Sequence, residues 1–215
     1  MVKAGTWILK TPAALFVITA GVLLDSVTRL FLTFSSTYFR IIALPEASFG
    51  LIGAAMGGLG LIVSPIARRM VGAHSITRNF TLLGGTVLAG LIGVSCRLPH
   101  WGVLFLVPLG GAMMALGYII SYYLNALVAS SHRATVLSFK SVAFNLGYGF
   151  ISLIFALALK AVRNGGSSQD AVARGFAFLP LWLLFGLIVC AIYFKRHRRF
   201  LSSIPRAVES DVTPD

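Results

Sequence analysis

Along this chain long apolar runs alternate with short polar or basic breaks. The breaks fall at residues 44–48 (LPEAS), 68–78 (RRMVGAHSITR), 97–101 (RLPHW), 130–133 (SSHR) and 163–174 (RNGGSSQDAVAR). Between them lie six apolar segments, at about residues 12–43, 49–70, 80–96, 102–129, 134–161 and 175–194. Each is close to or beyond the ~20 apolar residues that carry a helix across a bilayer. The pattern predicts an all-α membrane protein, a bundle of six transmembrane helices over residues 12–199. A basic, Trp-containing lead-in (1–11) precedes it and a polar tail (200–215) follows, both on the cytoplasmic side. The first segment is longer than a ~30 Å hydrocarbon core requires, so it is expected to tilt or project. Pro12 sits where a helix tolerates proline, at its start, and Pro108 predicts a kink in the fourth segment.

Polar residues inside these segments are the informative exceptions. The first carries Asp25 and Arg29 four residues apart, on one helical face, and helical steps add Thr33, Ser36 and Arg40 to it. A charge near the bilayer centre costs about 2.5–3.5 kcal/mol on insertion scales. Such residues are expected to face water or a partner helix, as part of a polar path or as a self-neutralised pair that fixes packing. The fourth segment carries Tyr118, Tyr122 and Asn125 on one side, with Ser121 beside them. That stripe can hydrogen-bond and stack on a ligand, or join helices. The fifth carries Lys140, Phe144 and Tyr148 on one face, with Ser141 and Asn145 alongside. Lys140 lies near its helix start, where it is expected to snorkel to the cytoplasmic surface. Gly53 and Gly57 in the second segment have the spacing that lets helices approach closely in lipid.

Composition agrees with the pattern. The chain of 215 residues is 57% hydrophobic and 11% charged, against about 25% charged in a soluble domain. The net charge of +12 would in a soluble protein point to nucleic acid. Here no nucleic-acid partner is expected, because the basic residues flank the apolar segments. Lys3, Lys10, Arg68, Arg69, Arg78, Arg133, Lys140 and the KRHRR run at 195–199 fall on one side. Arg40, Arg97, Lys160, Arg163 and Arg174 fall on the other. The positive-inside rule then places both termini in the cytoplasm, and KRHRR is suited to anionic lipid headgroups. The Asn79-Phe80-Thr81 sequon falls on the cytoplasmic face and reads as fortuitous. Cys96 and Cys190 form neither a disulfide framework nor a metal spacing.

Enzymatic chemistry finds no support. The chain has no phosphate-binding glycine loop, no His-Glu-x-x-His and no nucleophile elbow. Its four histidines lie on different loops or segment ends. No cofactor and no metal is expected.

Residues 133–139 read RATVLSF at the opening of the fifth segment. Tyr123-Leu124-Asn125 closes the fourth, and Leu44-Pro45-Glu46 precedes the glycine-rich second. In that order, from Thr11 to about Arg199, the chain resembles the C-terminal half of bacterial drug-exporter-like members of the major facilitator superfamily. RATVLSF carries the resemblance; the glycine-rich segment alone would not. The resemblance implies two inverted three-helix repeats, with spans one and four lining a central cavity. It implies residence in the bacterial inner membrane and alternating access with a second six-helix half, supplied by a missing N-terminal half, a separate chain or a copy of this one.

Two functions remain open on these grounds. In the first, the chain is a half-size or truncated secondary carrier of a small molecule. Asp25, Arg29, Thr33, Tyr118, Tyr122 and Asn125 then face the cavity, and Arg133 and Lys140 serve the cytoplasmic gate or anchor to headgroups. In the second, it is a non-transporting six-span protein that assembles with or regulates another membrane protein.

Overall fold

The computed structural model describes residues 8, 11–128, 130–162 and 168–196. The lead-in with Trp7 and Lys10, Arg163, and the 197–215 tail with most of the KRHRR run lie outside them. Among the described residues every regular element is helical. The α-helices are α1 (Pro12–Thr33), α2 (Ser35–Ile41), α3 (Phe49–Ala73), α4 (Ile76–Ser95), α5 (Leu106–Leu127), α6 (Arg133–Val162) and α7 (Ser168–Arg196). Short 3-10 turns at Glu46–Ser48, Trp101–Phe105 and Ser130–His132 join them.

Five of these helices are long and apolar enough to cross a membrane: α1, α3, α5, α6 and α7. The fourth helix falls short. It has 20 residues, and Thr77, Arg78 and Asn79 occupy its first turn. The expected break at 68–78 is correspondingly smaller. The α3 helix continues to Ala73, so Arg68 and Arg69 ride on its last turns, and α4 restarts at Ile76 with Ser75 as its N-cap. The Ser75 hydroxyl accepts from the Arg78 amide at 3.4 Å, satisfying one of the orphan donors of a helix start.

The first span is also shorter than expected, because the chain breaks at Phe34 before resuming as α2. Arg40 therefore leaves the Asp25 face. It pairs with Glu46 at 2.8 Å on the surface, where the two side chains are 48% and 71% exposed. The expectation of a kink at Pro108 assumes a position inside the helix. Pro108 lies in the first turn of α5, where a helix has no intrahelical bond for its missing N–H to break.

The core lies between α1 and α5, which pack on each other. Ala14, Val17, Leu24, Val27 and Phe31 of α1 meet Leu109, Ile119, Ile120 and Leu124 of α5 in one buried cluster. Helix α3 packs on α5, and α6 packs on α1. Helix α4 packs on α5 and α7, and α7 also reaches α1. Exchanging α1, α3 and α4 for α5, α6 and α7 leaves these pairings unchanged. The outer faces remain apolar and exposed: Leu61 and Ile62 on α3, Leu146 and Phe150 on α6, Phe185 and Ile192 on α7. Such continuous apolar surface is foreign to a soluble monomer and suits a lipid boundary.

Candidate functional site

Asp25, Arg29 and Thr33 line up along α1 at helical spacing, and the structure adds α6 as their counterpart. Gly21, one turn before Asp25, makes the close approach possible. A Cβ there would collide with Ile120 of α5 and come within 2.9 Å of Phe144 Cζ on α6. With the helices this close, the polar side chains meet. Arg29 Nη2 donates to Asp25 Oδ1 at 2.9 Å and lies 2.8 Å from Oδ2. Arg29 Nη1 donates to Asn145 Oδ1 on α6 at 3.0 Å. The guanidinium also stands 5.5 Å from the centre of the Tyr148 ring, within cation–π range. The hydroxyls of Thr33 and Tyr148 close the cluster at 3.1 Å.

Lys140 turns into the bundle rather than out to the surface. Its Nζ donates to Ser121 Oγ of α5 at 3.1 Å and sits 5.9 Å from the Phe144 ring. Asp25 interacts electrostatically with both Arg29 and Lys140. The cluster thus joins two cations to one carboxylate. Burial is uneven. The Asp25 side chain is 7% exposed and that of Arg29 30%, while Thr33 and Asn145 are exposed. The anion lies on the inside of the cluster and the donors lie toward its opening.

The fourth-segment stripe stands apart from this cluster. Tyr118 is exposed, and Tyr122 is half-buried with its ring edge-on to Tyr123. Asn125 is half-buried and makes no hydrogen bond to the cluster among the described residues. Arg133 is exposed at the start of α6. From α5, Ser121 is hydrogen-bonded into the cluster. Two partners, Asn145 and Tyr148, were visible in sequence as members of the α6 stripe, yet the spacing within α1 could not single them out. A second polar contact had no sequence signal of its own. Asn79, fully buried, donates to Tyr123 Oη at 2.8 Å and to the Met70 carbonyl at 3.0 Å. Such a side chain ties α4 to α5 and to the end of α3.

A groove opens beside the C-terminal end of α1. It encloses about 570 Å³ and is lined by Phe39, Phe49, Met56, Met113 and Met114, with Ser36 at its edge. Among the described residues no group of three His, Cys, Asp or Glu gathers where a metal ion could be held. Cys96 and Cys190 are both free thiols.

No protein-family model matches the chain, and no curated protein or solved structure matches it significantly. The functional reading therefore rests on the chain's own chemistry.

Proposed function

We propose that this chain is one six-helix half of a secondary carrier of the major-facilitator type. With a second six-helix unit, in the same polypeptide or another, it moves a small molecule by alternating access. The observation that carries this reading is the partly exposed Arg29 in the last third of α1, flanked by the exposed Thr33 and Asn145. A lipid-facing guanidinium is costly within a span, so the face is one for water or for the opposing half. The exchange symmetry of the helix pairings supports two three-helix repeats, with α4 as the third span despite its polar first turn. In that scheme both termini are cytoplasmic and the membrane is the bacterial inner membrane.

Accessibility tests the proposal. In intact membranes Thr33→Cys and Asn145→Cys should react with a membrane-impermeant maleimide from at least one side, while Val17→Cys in the core should not. Protection of both positions from either side, in folded protein within its native assembly, would refute a carrier.

The second reading, a non-transporting assembly partner, is favoured by α3. Its sole buried residue is Ala67, and a Cβ added at Gly53 or Gly57 would meet nothing within 4 Å. Such a face is suited to another helix. If Asp25→Asn and Arg29→Gln lower abundance or assembly without affecting flux, this second reading replaces the first.

A further inference from the structure

The polar cluster and the apolar groove adjoin. From the cluster, Arg29 and Thr33 lead to the end of α1, and Ser36 of α2, just past the break, lines the groove. On α5 the series Ser121, Tyr118, Met114 runs from the cluster to the groove in the opposite chain direction. Seven residues separate Ser121 from Met114 along α5, about 10 Å at 1.5 Å per residue. Tyr118 and Thr33, both exposed, lie between cluster and groove. One face thus offers charged donors at one end and a groove of Met and Phe side chains at the other.

The charge at the donor end is unbalanced. Asp25 is the sole carboxylate within a spanning helix core, since the remaining acidic residues are Glu46, Asp170 and three in the 200–215 tail. It is buried and already in contact with Arg29 through both oxygens. A cationic ligand would have to displace that guanidinium to reach it. The guanidinium has five N–H donors, and Asp25 and Asn145 engage only part of them. Lys140 has Ser121 as its hydrogen-bond partner. The groups presented to the opening are donors with an excess positive charge.

We infer that this face binds a small amphipathic monoanion, its carboxylate or sulfonate between Arg29 and Lys140 and its apolar body along Tyr118 into the groove at Met113 and Met114. One negative charge would neutralise the cluster. The groove volume suits an aryl or medium-chain body, being within the ~300–1,000 Å³ of small-molecule sites. Methionine, flexible and polarisable, fits bodies of varied shape. This assignment rests on the proposed reading of the face as a substrate path.

The test uses the full chain in phosphatidylcholine nanodiscs, with 11-(dansylamino)undecanoic acid as fluorescent probe and the matching alcohol as uncharged control. The acid should bind saturably and about tenfold or more tighter than the alcohol, the value of a charged hydrogen-bond pair. Lys140→Met should abolish that preference and Lys140→Arg should retain it. Gly53→Leu, at a groove position with open space around it, should weaken acid and alcohol alike and keep their ratio. Absence of saturable binding, equal binding of acid and alcohol, or an undiminished preference in Lys140→Met of normal elution profile and helical content would overturn the inference. Displacement of the acid by a few mole per cent of phosphatidylglycerol would also overturn it, assigning the face to membrane lipid. Thiol labelling at position 33 decides the carrier reading separately, so an accessible face that binds no anion removes this inference alone.

Discussion

The Asp25–Arg29 pair predicts unequal costs for removing its two members. Their contact at 2.8 Å has a gross attraction of about 6 kcal/mol at an effective dielectric of 20. Much of this is offset by the desolvation of two ions. What survives shows when one partner is removed. Arg29→Met strands a carboxylate whose side chain is 7% exposed, with Lys140 as its remaining cation. Breaking a buried pair in this way costs about 3–5 kcal/mol, and Lys140 together with the partial exposure of Arg29 puts the expected value near ~3. Asp25→Asn is milder. The amide oxygen still accepts from Arg29, and the guanidinium keeps Asn145 and its exposed edge. A loss of about 1–2 kcal/mol is expected. The double variant strands no charge on α1, so its cost should fall below the sum of the singles by at least ~1 kcal/mol. Unfolding by sodium dodecyl sulfate titration in mixed micelles, followed by circular dichroism, gives the four corners of the cycle. Equal costs for the two single variants, or additivity, would refute the view of Asp25 as the buried member held by Arg29.

Two other positions give opposite signs. Gly21→Ala drives a methyl group against Ile120 and Phe144 and should cost about 1–3 kcal/mol through overpacking. Gly53→Ala, with nothing within 4 Å, should be neutral or gain up to ~1 kcal/mol of helix propensity. The same titration ranks them, and a tolerated Gly21→Ala would deny close packing of α1 on α5 and α6. Ala43 ends α2 at φ 58°, with the Leu44 amide donating to the Phe39 carbonyl at 2.9 Å and the Ala43 amide to that of Arg40 at 3.1 Å. This is a helix stop that favours glycine. Relief of a left-handed alanine, ~1–2 kcal/mol, is partly cancelled by the freedom glycine adds to the unfolded chain. Ala43→Gly should therefore raise stability by up to about 1 kcal/mol, and a loss would contradict the assigned cap.

The sequence was legible where the physics is local. Hydropathy located the long helices, because a bilayer demands a minimum apolar length, though it overran the end of α1 by ten residues and placed the start of α7 seven residues late. Helical spacing alone set Asp25, Arg29 and Thr33 on one face. It failed at Arg40, since nothing in SSTYFR announces the break at Phe34 that rotates the chain out of register. It failed at Lys140 because a lysine near a helix end looks the same from sequence whether it rises to the surface or turns toward Ser121. The α5 stripe did not reveal the pairing of α1 for a related reason. Tyr118, Tyr122 and Asn125 share a side of their helix, but the hydrogen-bond partners of α1 come from α6, and pairing between helices far apart in sequence leaves no periodic trace in either one.

The glycines supply that missing link after the fact. Gly21 on α1 admits Ile120 and Phe144, and Gly147 on α6 admits Val22 of α1. Each helix thus contributes a small residue at the point where the other presents bulk. Arg29 lies two turns beyond Gly21, and Asn145 and Tyr148 flank Gly147. The seam that brings the backbones together is the same one that sets the 3.0 Å bond from Arg29 to Asn145 and the 3.1 Å contact between Thr33 and Tyr148. A guanidinium is a rigid fork, and its bonds weaken steeply once misaligned. The distance between α1 and α6 therefore controls whether Arg29 is held by Asn145 and Tyr148 or released to its exposed side. Any motion that separates these two helices would open the cluster to a ligand, and any ligand that bridges Arg29 and Lys140 would resist that separation.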